Sequence, residues 1–244
     1  MSTQPDKRDA ASWARPVERL IAGDGHINVT GRRPTAPMNG FGRMWQKTYR
    51  ASLGAAAVTP AEVIAVWKER FPELWPAGNR FFAPLAGIAP GEVAALDLTM
   101  PGGLRLSTGV LVLYADDESF TLMTPEGHMF AGWITFSAFV EDGATCAQAQ
   151  VLMRASDPLY ELGLALGGHR QEDAHWAHTL SALAGHFGVT ADVTTQAVCV
   201  DRRRQWSRVA NVWQNAGIRS GLHMAATPFR TLRRAARRDR AREA

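Results

Sequence analysis

A few side chains along this chain are of types that can transfer protons. His128 follows Pro125-Glu126-Gly127 in a predicted turn, and a histidine titrates near neutral pH, which suits general acid–base work. Tyr114 stands at the end of an alternating apolar run and is the second such group. We take His128 and Tyr114 as the candidate catalytic residues. The alternative for His128 is a turn histidine that bonds to local backbone.

Metal binding is suggested by a second set of residues, His169, Glu172, His175 and His178, which recur every three positions. Glu172 with His175 resembles half of a carboxylate-bridged metal site. The sequence contains no second Glu-x-x-His segment and no H-E-x-x-H run, so we expect a polar outer stripe on a helix and no metal. Neither a G-x-G-x-x-G, a P-loop nor a G-x-S-x-G motif occurs, and we expect no cofactor.

The balance of charge and hydrophobicity limits the classes of partner. The chain has 244 residues, is 46% hydrophobic and carries a net charge of +4. Seven arginines lie within residues 230–244, so the remainder is close to neutral and nucleic acid is not an expected partner. The tail is either solvated or attracted to an anionic membrane surface. Two cysteines form no disulfide framework, and no apolar stretch is long enough to span a bilayer, so we expect a cytoplasmic protein.

Alternating apolar and polar residues predict the strands of one sheet. A first strand is expected around Trp45–Leu53. Five more are expected at 92–99, 104–114, 119–124, 129–140 and 145–155, separated by short turns rich in Gly, Pro and Asp. Short separators favour antiparallel neighbours, so the five strands form a meander.

Helix signals flank this meander. Thr59-Pro60-Ala61-Glu62 contains a capping residue, a proline at the first helical position and the glutamate of a capping box. Asp157-Pro158 opens a longer helix to about Phe187, and Gly163, Gly167 and Gly168 predict a kink or break in it. A short helix around 17–22 is possible, residues 193–200 suit either a strand or a helix, and Trp206 to Gly217 carry a helical apolar stripe.

One face of the predicted sheet is almost wholly apolar, and two helices covering it can leave a gap. We expect that gap to be an apolar cavity with few polar groups, typical of small-ligand sites, although a filled core is the alternative. The predicted ligand-binding residues are Leu96, Leu106, Thr108, Val110, Val112, Tyr114, Leu122, Phe130, Ile134, Phe136, Val151 and Met153.

The order of strand, helix, meander and long helix resembles the helix-grip fold of the START and polyketide-cyclase-like (SRPBCC) superfamily. A closer likeness to an uncharacterised bacterial branch lies in Thr121 to His128, followed by Gly132 and Phe136, then Ala155-Ser156-Asp157-Pro158. Met129 stands where that branch has a proline, and Trp133-Ile134 replace an acidic pair. The resemblance covers about residues 40–188 and implies a pocket for a hydrophobic ligand.

The expected class is therefore α+β: a curved antiparallel sheet of about six strands wrapped on a long C-terminal helix, with a helical C-terminal extension. We divide the chain into an N-terminal extension (1–38), the helix-grip domain (39–188), an extension with an amphipathic helix (189–229) and a basic tail (230–244). The expected function is binding of a hydrophobic small molecule or lipid. The alternatives are a cyclase or hydratase using the same cavity, and a membrane or protein interaction module acting through the C-terminal segment.

Overall fold

The protein is described by a computed structural model that covers residues 9–22, 27–100 and 105–223. Its strands are β1 (Met44–Ser52), β2 (Arg80–Phe82), β3 (Val93–Thr99), β4 (Arg105–Ala115), β5 (Ser119–Met123), β6 (Phe130–Glu141), β7 (Ala144–Ala155) and β8 (Thr194–Asp201). Its helices are α1 (Pro60–Arg70), α2 (Pro158–Gly163) and α3 (His169–His186). Short 3-10 turns occupy Ala10–Ser12, Pro37–Asn39 and Phe71–Leu74, and a longer one occupies Trp206–Gln214.

The strands form a single antiparallel sheet in the order β2-β3-β4-β5-β6-β7-β1-β8. The expected meander is present as β3 to β7, and β1 pairs with β7 as the sheet curves round. The sheet has two strands more than expected. β2 extends one edge, and β8 forms the other by pairing with β1, so the sheet continues past residue 188.

Both predicted helix starts are confirmed. Thr59 and Glu62 form a reciprocal capping box at α1, and Asp157 accepts hydrogen bonds from the backbone N–H groups of Leu159 and Tyr160 at α2. These contacts satisfy donors that have no partner within their own helix.

The long helix is interrupted where its glycines lie, as expected. Between α2 and α3, residues Leu164–Gly168 form a π turn, and Gly167 adopts a φ of 125°. A residue with a Cβ atom rarely takes such a φ, so glycine permits the change of helical path. Together these segments form the long C-terminal helix of 158–186 against the concave face of the sheet.

The concave face is filled at one end by aromatic side chains. Trp67 and Phe71 at the end of α1 pack against Phe120 and Phe136, whose rings stack with centroids 4.7 Å apart. All four are fully buried. These four rings, called the aromatic plug below, cover the part of the sheet under α1. They do not cover the part of the sheet under α2 and α3.

The two chain extensions pack against this domain. The C-terminal one contains a helix as expected, but at residues 216–223 and not over the stripe from Trp206 to Gly217. Residues 17–22 are not helical, but Leu20 and Val29 cover Leu111 on the convex face. At the other end, residues 206–214 form a 3-10 turn that leaves Trp206 and Trp213 largely exposed. The basic tail 230–244 lies outside the described residues.

Candidate functional site

A cavity of about 950 Å³ lies between the concave face of the sheet and the α2–α3 helix. Its wall is mostly apolar. Half of the predicted ligand-binding residues contribute to it: Leu96, Val110, Leu122, Phe130, Ile134 and Val151. They come from neighbouring strands of the meander and share one face because side chains alternate along each strand. The volume falls in the range of small-molecule pockets.

The other predicted residues lie outside the cavity wall for identifiable reasons. Phe136 and Val112 belong to the core formed with the aromatic plug, and Met153 is buried in the same core. Leu106 lies beside Gly217 of the C-terminal segment. Thr108 is fully buried opposite Leu96, and its hydroxyl has no hydrogen-bond partner.

Tyr114 faces the opposite side of the sheet, contrary to the expectation from alternation. The pairing of β4 with β5 shifts between Val112 and Tyr114, so Val112 pairs with Leu122 but Tyr114 pairs with Thr121. Such a bulge reverses the face on which later side chains lie. Tyr114 therefore packs against Trp13 and donates a hydrogen bond to Asp116, away from the cavity.

His128 does line the cavity, and the turn before it determines its position. The backbone N–H of His128 donates to the Pro125 carbonyl, and Gly127 takes a φ of 87°. Nδ1 of the imidazole lies 3.0 Å from the backbone nitrogen of Phe130 and 3.2 Å from the carbonyl oxygen of the same residue, so Phe130 holds the ring in place. Burial lowers the pKa of His128 to about 4, so the ring is neutral at pH 7.

Both chain extensions meet at this turn. The backbone N–H of Thr35 donates to the Thr124 carbonyl, and the backbone N–H of Glu126 donates to the Arg33 carbonyl. From the other side, the backbone N–H of Ala216 donates to the carbonyl of Gly127 at 2.9 Å. The position of His128 at the cavity therefore depends on residues far from it in the sequence.

The expected polar outer stripe on the long helix is wrong for Glu172 and His175, whereas His178 is exposed. All three residues line the cavity, and Glu172 is 8% exposed. Glu172 stands four residues before Trp176, which also lines the cavity, and positions i and i+4 lie on one helix face. That spacing to an inward-facing tryptophan was the signal in the sequence that Glu172 is buried.

Glu172 is paired with a buried lysine from the sheet. The Lys47 Nζ atom lies 2.8 Å from Oε2 of Glu172 and 2.7 Å from Oδ1 of Asp173. The hydroxyl of Tyr49 donates to that same Asp173 oxygen. Burial raises the pKa of Glu172 to about 7, and the Lys47 charge limits the rise. Glu172 is thus a carboxyl group at the cavity whose pKa lies near neutral pH.

Aromatic and imidazole rings line the same cavity as this carboxyl group. The His175 ring lies between Trp75 and Trp176, at centroid distances of 4.9 and 4.7 Å. Burial lowers the pKa of His175 to about 4. Within residues 9–22, 27–100 and 105–223, no group of three or more His, Cys, Asp or Glu side chains is arranged to hold a metal ion.

The sheet, the long helix and the cavity between them define a helix-grip α+β protein. No protein-family model and no curated protein matches the sequence. Similar solved structures include the di-domain ARO/CYC StfQ from the steffimycin biosynthetic pathway, at 13% identity and a TM-score of 0.48, covering 63% of this chain and 54% of that one. Others are Ara h 8.0201 (13% identity, TM-score 0.43, 59% and 97% covered) and a START superfamily protein from Mycobacterium smegmatis (20% identity, TM-score 0.40, 60% and 98% covered).

No helix in the described part of the chain is both long enough and apolar enough to cross a membrane.

Proposed function

We propose that this protein binds a hydrophobic small molecule or lipid in the cavity between the sheet and the α2–α3 helix. The observation that carries the proposal is the cavity itself, about 950 Å³ with a mostly apolar wall. Side chains normally fill the space inside a fold, because each buried methylene stabilises the folded state by about 0.8 kcal/mol. An unfilled apolar volume therefore favours an occupant.

The rim of the cavity supports the same proposal. Leu166 lines the cavity and is 78% exposed, on the π turn that joins α2 to α3. Apolar side chains at an opening are suited to the entry of a molecule that is poorly soluble in water.

The test uses a neutral fluorophore, 1-aminoanthracene, with 1-decanol as the competitor. We expect the fluorescence to rise on binding and to fall as 1-decanol displaces the probe. Ile134→Glu places a charge in the cavity wall and should abolish binding, because the apolar wall cannot solvate it. The matched control is Val140→Glu on the same strand, which is exposed and outside the cavity wall, and it should bind normally.

Circular dichroism establishes that both variants fold. Native mass spectrometry of the purified protein gives an independent readout. We expect it to detect a copurified molecule in the unmodified protein and none in Ile134→Glu. Equal probe binding by the two variants would exclude the cavity as the binding site.

A second candidate function is acid–base catalysis on the bound molecule, which the position of Glu172 favours. A carboxyl group with a pKa near 7 suits proton abstraction at neutral pH. The test follows exchange of the α-protons of 2-tetralone, an apolar ketone, with D₂O by NMR. Faster exchange with the unmodified protein than with Glu172→Gln is the expected result, and equal rates would dismiss this candidate.

A further inference from the structure

The Glu172 carboxylate is a buried polar group whose hydrogen-bonding capacity is only partly used. Oε2 has the Lys47 ammonium 2.8 Å away, whereas Oε1 has no hydrogen-bond partner among the described residues. The same Lys47 ammonium also donates to Asp173 and to the His169 carbonyl. Buried carboxylates normally accept several hydrogen bonds, so a ligand donor in the cavity would supply what the protein lacks.

The local charges indicate which kind of donor fits. One ammonium, that of Lys47, is shared between two carboxylates, Glu172 and Asp173. When Glu172 is ionised the cluster carries an excess negative charge. A second cation would balance it, whereas an anionic ligand would be repelled.

The rings next to Glu172 also favour a cation. Trp176 lies one helical turn along α3, and Trp75 faces it at a centroid distance of 6.5 Å. The faces of tryptophan rings attract organic cations. His175 lies between the two rings and His128 lines the same cavity, and both are neutral at pH 7 because burial lowers the pKa of each, so neither repels a positive charge.

We propose that the ligand of this cavity is an apolar molecule bearing one basic amine, which Glu172 binds as a cation while the apolar wall holds the remainder. This inference rests on the proposed binding function and specifies its ligand class. The hydrocarbon part contacts residues such as Val110 and Ile134, and the ammonium group lies between Glu172 and the tryptophans.

The experiment measures displacement of 1-aminoanthracene at pH 8 by decylamine, 1-decanol and decanoate, each below its micelle concentration. The three share one chain and differ in charge. Decylamine should bind at least about tenfold more tightly than 1-decanol, the amount expected for one charge-assisted hydrogen bond, and decanoate should bind most weakly.

Glu172→Gln keeps a hydrogen-bond acceptor and removes the charge, so it should remove the advantage of decylamine over 1-decanol. The matched control is Glu69→Gln on the exposed side of α1, which should behave as the unmodified protein. Thermal unfolding of all three proteins establishes that they are folded.

The outcomes separate the two proposals. If 1-decanol binds but decylamine binds no more tightly, or if Glu172→Gln retains the preference, the amine assignment is overturned and the binding function stands. If Glu172→Gln weakens decylamine and 1-decanol equally, Glu172 is a general hydrogen-bond acceptor and the amine class is again overturned. If none of the probes binds, the proposed function fails and this inference fails with it.

Discussion

The environment of Glu172 gives a prediction about stability and pH. Its pKa is about 7 in the folded protein, whereas an unfolded glutamate titrates near 4.5. Between about pH 4.5 and pH 7 the Glu172 carboxyl group is protonated in the folded protein and ionised in the unfolded chain. The contribution of Glu172 to stability is therefore complete below about pH 4.5, falls as the pH rises to about 7, and then stays constant. The fall amounts to about 3 kcal/mol.

The measurement is the free energy of unfolding of the unmodified protein and of Glu172→Gln by urea between pH 5 and 8. The difference in stability between the two proteins isolates Glu172, because both contain His128 and His175. The lowered pKa values of these histidines make stability rise with pH, opposite to the effect of Glu172, but they do so equally in both proteins. We expect Glu172→Gln to gain stability relative to the unmodified protein as the pH rises. A difference that does not change with pH would contradict the buried, unsolvated carboxyl group.

Individual side chains were predicted from the sequence only where one local pattern determines them. The turn signals before His128 predict a tight turn there, and the structure contains that turn with His128 lining the cavity. Tyr114 was misplaced because a single β-bulge reverses the alternation, and no residue type marks that bulge. For Glu172 the three-residue recurrence of polar side chains predicts an outer stripe, whereas its spacing to Trp176 places it on the buried face.

At the scale of elements, the turn at Gly127 joins the meander to the C-terminal segment. A Cβ atom at Gly127 would collide with the Gln214 carbonyl oxygen, and its φ of 87° is itself unfavourable for other residues. Gly127→Ala should therefore destabilise the protein by about 3 kcal/mol through both strain and displacement of the segment. Chemical denaturation measures the loss.

The matched control is Gly143→Ala in the hairpin between β6 and β7. Gly143 has a similar φ of 80°, but a Cβ atom added there would meet no other atom within 4 Å. The substitution should therefore cost only the backbone strain, about 1 kcal/mol. Equal losses in the two variants would mean that the contact with residue 214 does not stabilise the turn.

Elements with strong local signals were predicted well, and edge strands were not. Residue types at fixed spacing predict the caps of α1 and α2 and the glycine break before α3. They also predict the five-strand meander. β2 has three residues, too few to show a period. β8 is largely exposed on both faces, so no apolar alternation distinguishes it from a helix, and its partner β1 lies far earlier in the chain.

For the whole molecule, the sequence predicts an apolar face but cannot say how much of it is filled. The cavity is the space that remains after the aromatic residues of α1 have covered one end, and it depends on where Phe71 and Trp75 lie relative to Phe136. Both helices supply apolar residues, so composition alone is equally consistent with a filled core. The volume is a property of packing between distant segments, which no local pattern encodes.

Because the cavity lies inside the fold, its occupant should stabilise the whole molecule. A ligand that binds only the folded state at one hundred times its Kd adds about 2.7 kcal/mol to the free energy of unfolding. For a chain of this size that corresponds to a rise in Tm of about 5–10 °C. Differential scanning fluorimetry with 1-decanol measures the shift, and it should vanish in Ile134→Glu but persist in Val140→Glu. A probe that binds without raising Tm would have to bind the unfolded chain equally well, which would exclude the cavity of the folded protein as its site.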